Sequence, residues 1–404
     1  MRRLVCGISS VGKMIANVNI LSDGIASLSA RNVAFLGDSI TEESEEDAPS
    51  LNYRNRGYAI WSMYHTSHRF NISGIFGYSG KATSFIAAQV ANVTATNADI
   101  CFILSGANDI LGSATIQQIT DNYDLIATNL KAEGILPVFL SVFPRNDGDT
   151  TQNERSFEMS NYLKRKSSLG EIAFIDAAKI MIETEATINT AFSYDGVHTN
   201  MLGAYALGKL VGAWLDDNFP NSVNPVQLGT KNYVPNHLFV GTGGTAISPA
   251  TGEVPDGWTL NTSNVGETVA STIETVSPVT SERAIVLNVT GDTTATARPQ
   301  MQNRIDDLPA GNYYAYAEIE KTGDIEVFGV GASLRSFSPP TFSIGSMNSI
   351  DSTIPIPENV FSFGVRTKVV AIEANQTTFF YLGGSVGAGS GILKYKNFAL
   401  VKVS

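Results

Sequence analysis

A chain of 404 residues exceeds what one typical hydrophobic core organises, so two domains are the expectation. A hydrophobic share of 43% beside a charged share of 16% suits a folded, loop-rich protein and excludes a disordered one. The formal net charge of -11 argues against a general binder of nucleic acid or anionic membrane, since both need a basic face.

The first residues, Met1-Arg2-Arg3-Leu4-Val5-Cys6-Gly7, begin like a signal peptide, but Gly12-Lys13 interrupts the apolar region and no cleavage site follows cleanly. Residues 1–30 are therefore read as an ordered lead-in. No later apolar run is long enough to cross a bilayer. Cys6 and Cys101 cannot form a disulfide framework, and Cys101, inside the apolar run Ile100–Leu104, reads as a core thiol. The compact run Val33-Ala34-Phe35-Leu36 predicts a strand buried on both faces, broken at Gly37. Ser39 follows where the backbone must turn. It is either a reactive group at the carboxyl end of a central strand or, with Glu42, the S-x-x-E box that starts a helix.

The acidic stretch from Glu42 to Ser50 reads as a solvated loop. From Gly57 to Phe70 the spacing of Tyr58, Trp61, Tyr64 and His65 predicts an amphipathic helix. His65 and His68 read as residues of its surface, because no third ligand suggests zinc. A second strand over Ile72–Phe76 leads to Gly77-Tyr78-Ser79-Gly80-Lys81 and a helix over Ser84–Val93. The two glycines mark either an anion-binding turn or a plain one. A third strand, Asp99–Leu104, runs into Ser105-Gly106-Ala107-Asn108-Asp109, and the helix after it, Ile116–Glu133, is stopped by Gly134. A fourth strand, Leu136–Phe143, ends in Pro144-Arg145. A helix over Asn153–Ser167 and a fifth strand over Ile172–Asp176 precede Asp195-Gly196-Val197-His198 and a helix over Met201–Asn218. Alternation at this spacing specifies a three-layer α/β domain with a parallel sheet, over residues 31–219.

Residues 220–235, rich in Asn, Pro, Val and Gly, form a linker. Over residues 236–404 the short alternating segments Ala284–Val289, Tyr313–Glu320, Ile325–Val330, Thr378–Leu382 and Phe398–Val403 predict an all-β jelly-roll or β-sandwich domain. Trp258 and the tyrosines at 313, 314 and 316 offer faces for stacking on sugars. Alternation sets Tyr313 opposite Tyr314 and Tyr316, so at least one of them belongs to the core.

Acyl transfer by a serine needs a nucleophile, a base, a group that orients the base, and donors for the oxyanion. Ser39, Gly77 and Gly80, Asn108, and the pair Asp195 and His198 all follow carboxyl ends of strands or lie just beyond, where a doubly wound sheet gathers its site. Of the four histidines, two fit a helix and His237 lies past the domain boundary, which leaves His198.

Gly37-Asp38-Ser39-Ile40, Gly106-Ala107-Asn108-Asp109 and Asp195-Gly196-Val197-His198 resemble three signature blocks of the SGNH (GDSL-type) hydrolases, in that family's order and spacing. Gly80 occupies the place of the family's second block. The resemblance covers about residues 30 to 215. It implies a flavodoxin-like sheet, Ser39 as nucleophile, His198 as base and Asp195 as the group that orients it. It also implies an oxyanion hole made by the N–H groups of Ser39 and Gly80 and the amide of Asn108. Gly77, Tyr78 and Arg145 are expected along the substrate cleft, while Asp38 and Asp109 read as buried supports. Lys81 stands where many relatives carry Asp, and the acidic insertion after Ser39 is unusual. No metal or organic cofactor is implied.

The function expected is a serine esterase that removes O-acetyl groups from a carbohydrate or polysaccharide. A lipase or thioesterase of the same mechanism is the alternative, and a glycan-binding adhesin of phage-tail type is the alternative outside the enzymes. Asn236-His237-Leu238-Phe239 and Val254-Pro255-Asp256-Gly257-Trp258 look similar to jelly-roll modules of phage tail proteins and secreted glycan esterases. That likeness implies an extracellular or virion-associated protein. The partner expected is an acetylated glycan or another small ester, with no nucleic acid and no membrane insertion. The second domain either binds sugar or joins copies into a homo-oligomer.

Overall fold

The computed structural model describes residues 31–45, 53–184, 187–223, 231–262, 268–277, 282–291, 298–346 and 354–403. The expected lead-in with Cys6, residues 46–50 of the acidic stretch and residues 224–230 of the linker lie outside them. The chain forms two compact units, one containing Phe70–Val223 and the chain up to Glu43, the other Ser44–Arg69 and Asn224–Ser404.

In chain order the first half carries β1 (Arg31–Asp38), α1 (Ser39–Glu42), α2 (Tyr58–His65), β2 (Phe70–Tyr78), α3 (Thr83–Ala88), α4 (Val90–Thr94), β3 (Ile100–Leu104), α5 (Ala107–Ile110), α6 (Ile116–Ala132), β4 (Leu136–Leu140), α7 (Thr150–Ser168), β5 (Ala173–Ile175), α8 (Ala178–Met181), the short pair β6 (Ile182–Thr184) and β7 (Thr187–Ile188), and α9 (Met201–Asn218). All but α2 belong to the first unit. Strands β2-β1-β3-β4-β5 form one sheet in that order, every pairing parallel. This is the flavodoxin-like order, whose direction of winding reverses between β1 and β3. Ligands collect beyond the carboxyl ends of the strands at that reversal, and both Ser39 and Asn108 sit there.

The apolar run Val33–Leu36 is fully buried, as a strand covered on both faces requires. On one face Ala34, Leu36, Ile103 and Phe139 pack with Ile119, Tyr123, Ile126 and Leu130 of α6. On the other, Phe35 stacks on Phe102 at 5.4 Å and Trp214 of α9 meets Phe102 edge-on at 5.7 Å. Gly37 ends the run where strands crowd: a Cβ there would lie 2.1 Å from the Leu104 carbonyl oxygen. The expected helix over 84–93 is two short helices, α3 and α4, meeting at Gln89.

The second unit holds two larger sheets. One takes β16 (Phe342–Gly345), β15 (Val327–Ser336), β19 (Thr378–Val386), β13 (Gln300–Ile305), β10 (Val254–Asn261) and β8 (Gly243–Ala246), in that order across the sheet. The other takes β17 (Phe361–Arg366), β14 (Gly311–Gly323), β20 (Gly389–Val403), β12 (Glu282–Gly291), β11 (Thr268–Ser277) and β9 (Thr251–Gly252), with β18 (Val370–Ile372) also paired to β14. Their inner faces share an aromatic core in which Trp258 of β10 and Phe380 of β19 meet Phe398 of β20 at 5.3 and 5.7 Å.

Three sequence expectations are corrected here. The four aromatic side chains offered for sugar stacking are buried: Trp258 is 1% exposed, and Tyr313, Tyr314 and Tyr316 are 0, 4 and 1%. Interior packing took all four. The helix expected over 57–70 is α2, which ends at His65, and Ser67 and His68 then take positive φ values of 52° and 49°. It counts with the second unit because Trp61, Tyr64 and His65 surround Phe363 of β17 at 5.9, 6.4 and 5.1 Å. His68 is no surface residue; it is buried, and burial holds its imidazole well below the usual histidine range.

Candidate active site

Ser39 is the first residue of α1, placed by the turn that ends β1. Asp38 caps this helix, its Oδ1 accepting from the Ile40 N–H at 3.2 Å. A helix does start here, but its N-cap is Asp38 and not Ser39, so the expected S-x-x-E box does not form. The Ser39 Oγ lies 2.8 Å from His198 Nε2, and His198 Nδ1 lies 2.7 Å from Asp195 Oδ2. Serine, imidazole and carboxylate form one hydrogen-bonded line.

The loop from Ser193 to His198 is braced for this. Asp195 Oδ1 accepts from the N–H groups of Val197 and His198 at 2.9 and 2.7 Å. The Ser193 hydroxyl donates to the His198 carbonyl at 2.7 Å and accepts from the Gly196 N–H at 2.8 Å. Gly196 needs to be glycine, with φ at 84° and a Cβ that would fall 2.7 Å from Asn146. Burial pushes the Asp195 carboxyl up, but hydrogen bonds from the His198 ring and from the two amides outweigh it and hold the group below the usual carboxylate range. Ionised, it keeps the Nδ1 proton on the imidazole and leaves Nε2 to accept.

Tyr194 is a site residue that the sequence reading passed over. Its ring stacks on the His198 imidazole at 5.7 Å with planes 16° apart, and its hydroxyl donates to the Glu43 carboxylate at 2.9 Å. The signal available was its place directly before Asp195. Nothing in spacing alone says that a loop tyrosine will lie on the imidazole.

The three groups expected to donate to an oxyanion lie on three loops. The Ser39 N–H opens a helix and has no intrahelical acceptor. Gly80 is the third residue of a turn closed by Lys81 N–H to Tyr78 carbonyl at 3.3 Å, with φ at 70°. Asn108, just after β3, donates from Nδ2 to the Lys81 carbonyl at 3.0 Å, which ties it to the residue beside Gly80. The same two loops are pinned again by Asp109, which accepts from both the N–H and the hydroxyl of Thr83 at 2.9 Å.

Arg145 reaches this cluster, donating from Nη1 to Asn108 Oδ1 at 3.3 Å and to the Ala107 carbonyl at 3.2 Å. Gly77 and Tyr78 are turned elsewhere. A Cβ on Gly77 would sit 2.2 Å from the Glu42 nitrogen, so that glycine makes room for α1. Tyr78 packs its ring on Phe85 at 5.4 Å and accepts from Asn92 Nδ2 at 2.8 Å. Neither hydrogen-bonds to Ser39, His198 or Asn108.

Beneath the serine, burial pushes the Asp38 carboxyl up to about 6, against the amides of Ile40 and Ala107 and the His198 ring, which pull it down. Among the described residues no group of three or more His, Cys, Asp or Glu is placed to hold a metal ion. Cys101 is a buried free thiol whose pKa is raised by burial, as an inert core cysteine should be.

The family model described as GDSL-like Lipase/Acylhydrolase family matches residues 35–206. No curated protein matches the chain. Among solved structures, the carbohydrate acetylesterase Est24 of Sinorhizobium meliloti is similar at 18% identity, covering 47% of this chain and 100% of its own, with a TM-score of 0.39. A GDSL-like lipase of Bacteroides thetaiotaomicron is 16% identical over 52% of this chain and 98% of its own, with a TM-score of 0.38. The lipase/acylhydrolase of Enterococcus faecalis is 18% identical over 46% of this chain and 96% of its own, also with a TM-score of 0.38.

Proposed function

Residues 35–206 form a GDSL-like lipase/acylhydrolase domain, and from that premise we propose that the protein is a serine esterase acting on O-acetyl groups carried by a carbohydrate. The observation that carries this reading is the unbroken line from Ser39 Oγ through His198 to Asp195, with contacts of 2.8 and 2.7 Å.

Ser39 Oγ adds to the ester carbonyl carbon as its proton passes to His198 Nε2. Asp195 stabilises the imidazolium through Nδ1–H. The carbonyl oxygen, now an oxyanion, is met by the N–H groups of Ser39 and Gly80 and by the Nδ2–H of Asn108. Collapse of the tetrahedral adduct breaks the bond to the sugar oxygen, which takes the proton from His198. Water then repeats the sequence on the acyl-enzyme, releasing acetate and restoring the serine.

Polar neighbours support a polar alcohol half of the ester. Tyr194, Glu43, Asn108 and Arg145 stand around the reacting groups, and a sugar bearing hydroxyls finds donors and acceptors there. The family description itself favours a second reading, an acyl ester of longer chain.

The test is hydrolysis of p-nitrophenyl esters of increasing chain length by the wild type and by Ser39→Ala, followed by acetate release from acetylated polysaccharides. Loss of the nucleophile should lower the rate by about 10⁴ to 10⁶-fold. Preference for acetate supports the deacetylase, and preference for long chains supports the lipase. Equal inertness of both proteins on every ester would remove the catalytic reading.

A further inference from the structure

We propose that the outward face of the six-stranded sheet in the second unit is a glycan-binding platform built on Phe337, Phe379 and Arg335. The inference goes beyond the esterase reading and does not depend on Ser39.

Strand register sets these side chains on one surface. Arg335 lies opposite Phe379 and Ser333 opposite Tyr381 across β15 and β19, and Gln302 of β13 lies on the far side of Tyr381. The alternate residues Leu334, Phe380, Leu382 and Met301 point into the core and are fully buried, so the first set must face outward. On that surface the rings form a chain. Phe337 meets Phe379 at 5.5 Å, and behind them Tyr381, 6% exposed, lies 6.4 Å from Phe379 and supports the Arg335 guanidinium, which covers its ring at 4.8 Å.

Two observations mark this surface as one built to meet a ligand. Phe337 is 66% exposed, yet the turn that carries it is tied down from beneath. The buried Gln376 donates from Nε2 to Ser336 Oγ at 3.0 Å, to the Ser338 carbonyl at 3.3 Å and to the Pro340 carbonyl. The Ser336 hydroxyl adds bonds to Ser338 and Thr377. An exposed aromatic ring is thus held outward by a buried polar clamp. The second observation is Arg335 itself, which makes no hydrogen bond and no ion pair with any described residue. Its guanidinium lies over the Tyr381 ring, and among the described residues no acceptor receives its donors.

A sugar fits both features, because its C–H face stacks on aromatic rings while its hydroxyl and carboxylate oxygens accept from a guanidinium and an amide. A protein partner fits less well. A stable protein interface covers about 800 Å² per side around an apolar centre, whereas these rings alternate with Arg335, Ser333 and Gln302. A second copy would also bring another net charge of -11 against the first.

The full chain bearing Ser39→Ala, which leaves acetyl groups in place, is run in native gels containing either acetylated xylan as a neutral probe or polygalacturonate as an acidic one. Retardation by at least one of them is expected. Phe337→Ala and Arg335→Gln should each weaken that retardation roughly tenfold in apparent Kd, Arg335→Gln more so where the probe is acidic. Retardation by neither polymer, or retardation that both variants leave unchanged, overturns the proposal. A shift in sedimentation of Phe337→Ala from a larger to a smaller species also overturns it, by making the face a contact between copies. Hydrolysis of p-nitrophenyl acetate by Phe337→Ala with Ser39 intact should match the wild type. Failure of binding is thereby kept apart from failure of the esterase reading.

Discussion

Arg145 donates to Asn108 Oδ1 at 3.3 Å while Asn108 Nδ2 donates to the Lys81 carbonyl at 3.0 Å, so both ends of one amide are assigned by their partners. The amide cannot turn over without setting oxygen against carbonyl and nitrogen against guanidinium. In the proposed mechanism its second Nδ2 hydrogen is the one that would meet the oxyanion. Arg145 is itself fixed by a two-pronged pair with Asp147, both contacts at 2.8 Å.

Arg145→Ala should therefore lower kcat about tenfold with little change in KM, because it loosens a donor used only in the transition state. Asn108→Ala removes the donor and should lower kcat by about 10²–10³-fold. Arg145→Lys should not recover the wild-type rate, since a single ammonium cannot hold Asp147 and Asn108 with the same fork. Steady-state kinetics on p-nitrophenyl acetate decide it. A rise in KM with unchanged kcat would make Arg145 a contact to substrate instead.

Asp109 joins the loop after β3 to the start of α3 through two bonds to Thr83, both 2.9 Å. Asn at this position keeps the shape but has one accepting oxygen, so an amide N–H is set against a donor. Asp109→Asn should cost about 1–3 kcal/mol of stability in urea unfolding. It should also lower kcat, because Gly80 and Asn108 are no longer held in one register. Unchanged stability would show that the Thr83 contacts contribute nothing net.

The catalytic unit was legible because its signals are local. Strands buried on both faces read as apolar runs, Gly134 marks a helix end, and the last helix runs over Met201–Asn218 as its pattern predicts. The residues of the hydrogen-bonded line fall in short blocks at strand ends. What was illegible depends on tertiary partners. Tyr78 carries the same composition signal whether it faces a cleft or Asn92. In the second unit Val254–Asn261 carries Pro255, Asp256 and Gly257, and Thr268–Ser277 has only Val269, Ile273 and Val276 as large apolar residues, so neither shows clear alternation, and the aromatic residues most visible in the sequence are core. The exposed Phe337 lies just past a strand end, where periodicity says nothing.

Tyr194 is stacked on His198 and bonded to Glu43. Tyr194→Phe keeps the stack and should leave kcat within about twofold of wild type. Tyr194→Ala frees one face of the imidazole and should lower kcat/KM about three- to tenfold, the scale of a half-exposed aromatic contact. If both variants lose activity equally, the bond to Glu43 matters and the stack does not; if both match wild type, neither does.

Asp38 gives a prediction whose sign is fixed by burial. Its carboxyl titrates at about 6 in the folded chain against 3.8 for an unperturbed group. The folded state therefore binds this proton more tightly than the unfolded state does. The stability it confers is full below about 3.8, is lost as pH rises to about 6, and stays flat above, a change on the order of 3 kcal/mol. Asp38→Asn imitates the protonated form at every pH and still caps α1, since Asn is as good an N-cap as Asp. The stability of Asp38→Asn minus that of the wild type should thus climb between pH 4 and 6 and level off by pH 7, with the other carboxylates cancelling in the difference. Urea midpoints of the two proteins across that range are the measurement. A difference that stays flat would mean the Asp38 carboxyl is not perturbed by burial. One that falls with pH would mean the ionised group is supported by its neighbours, the Ile40 amide first among them.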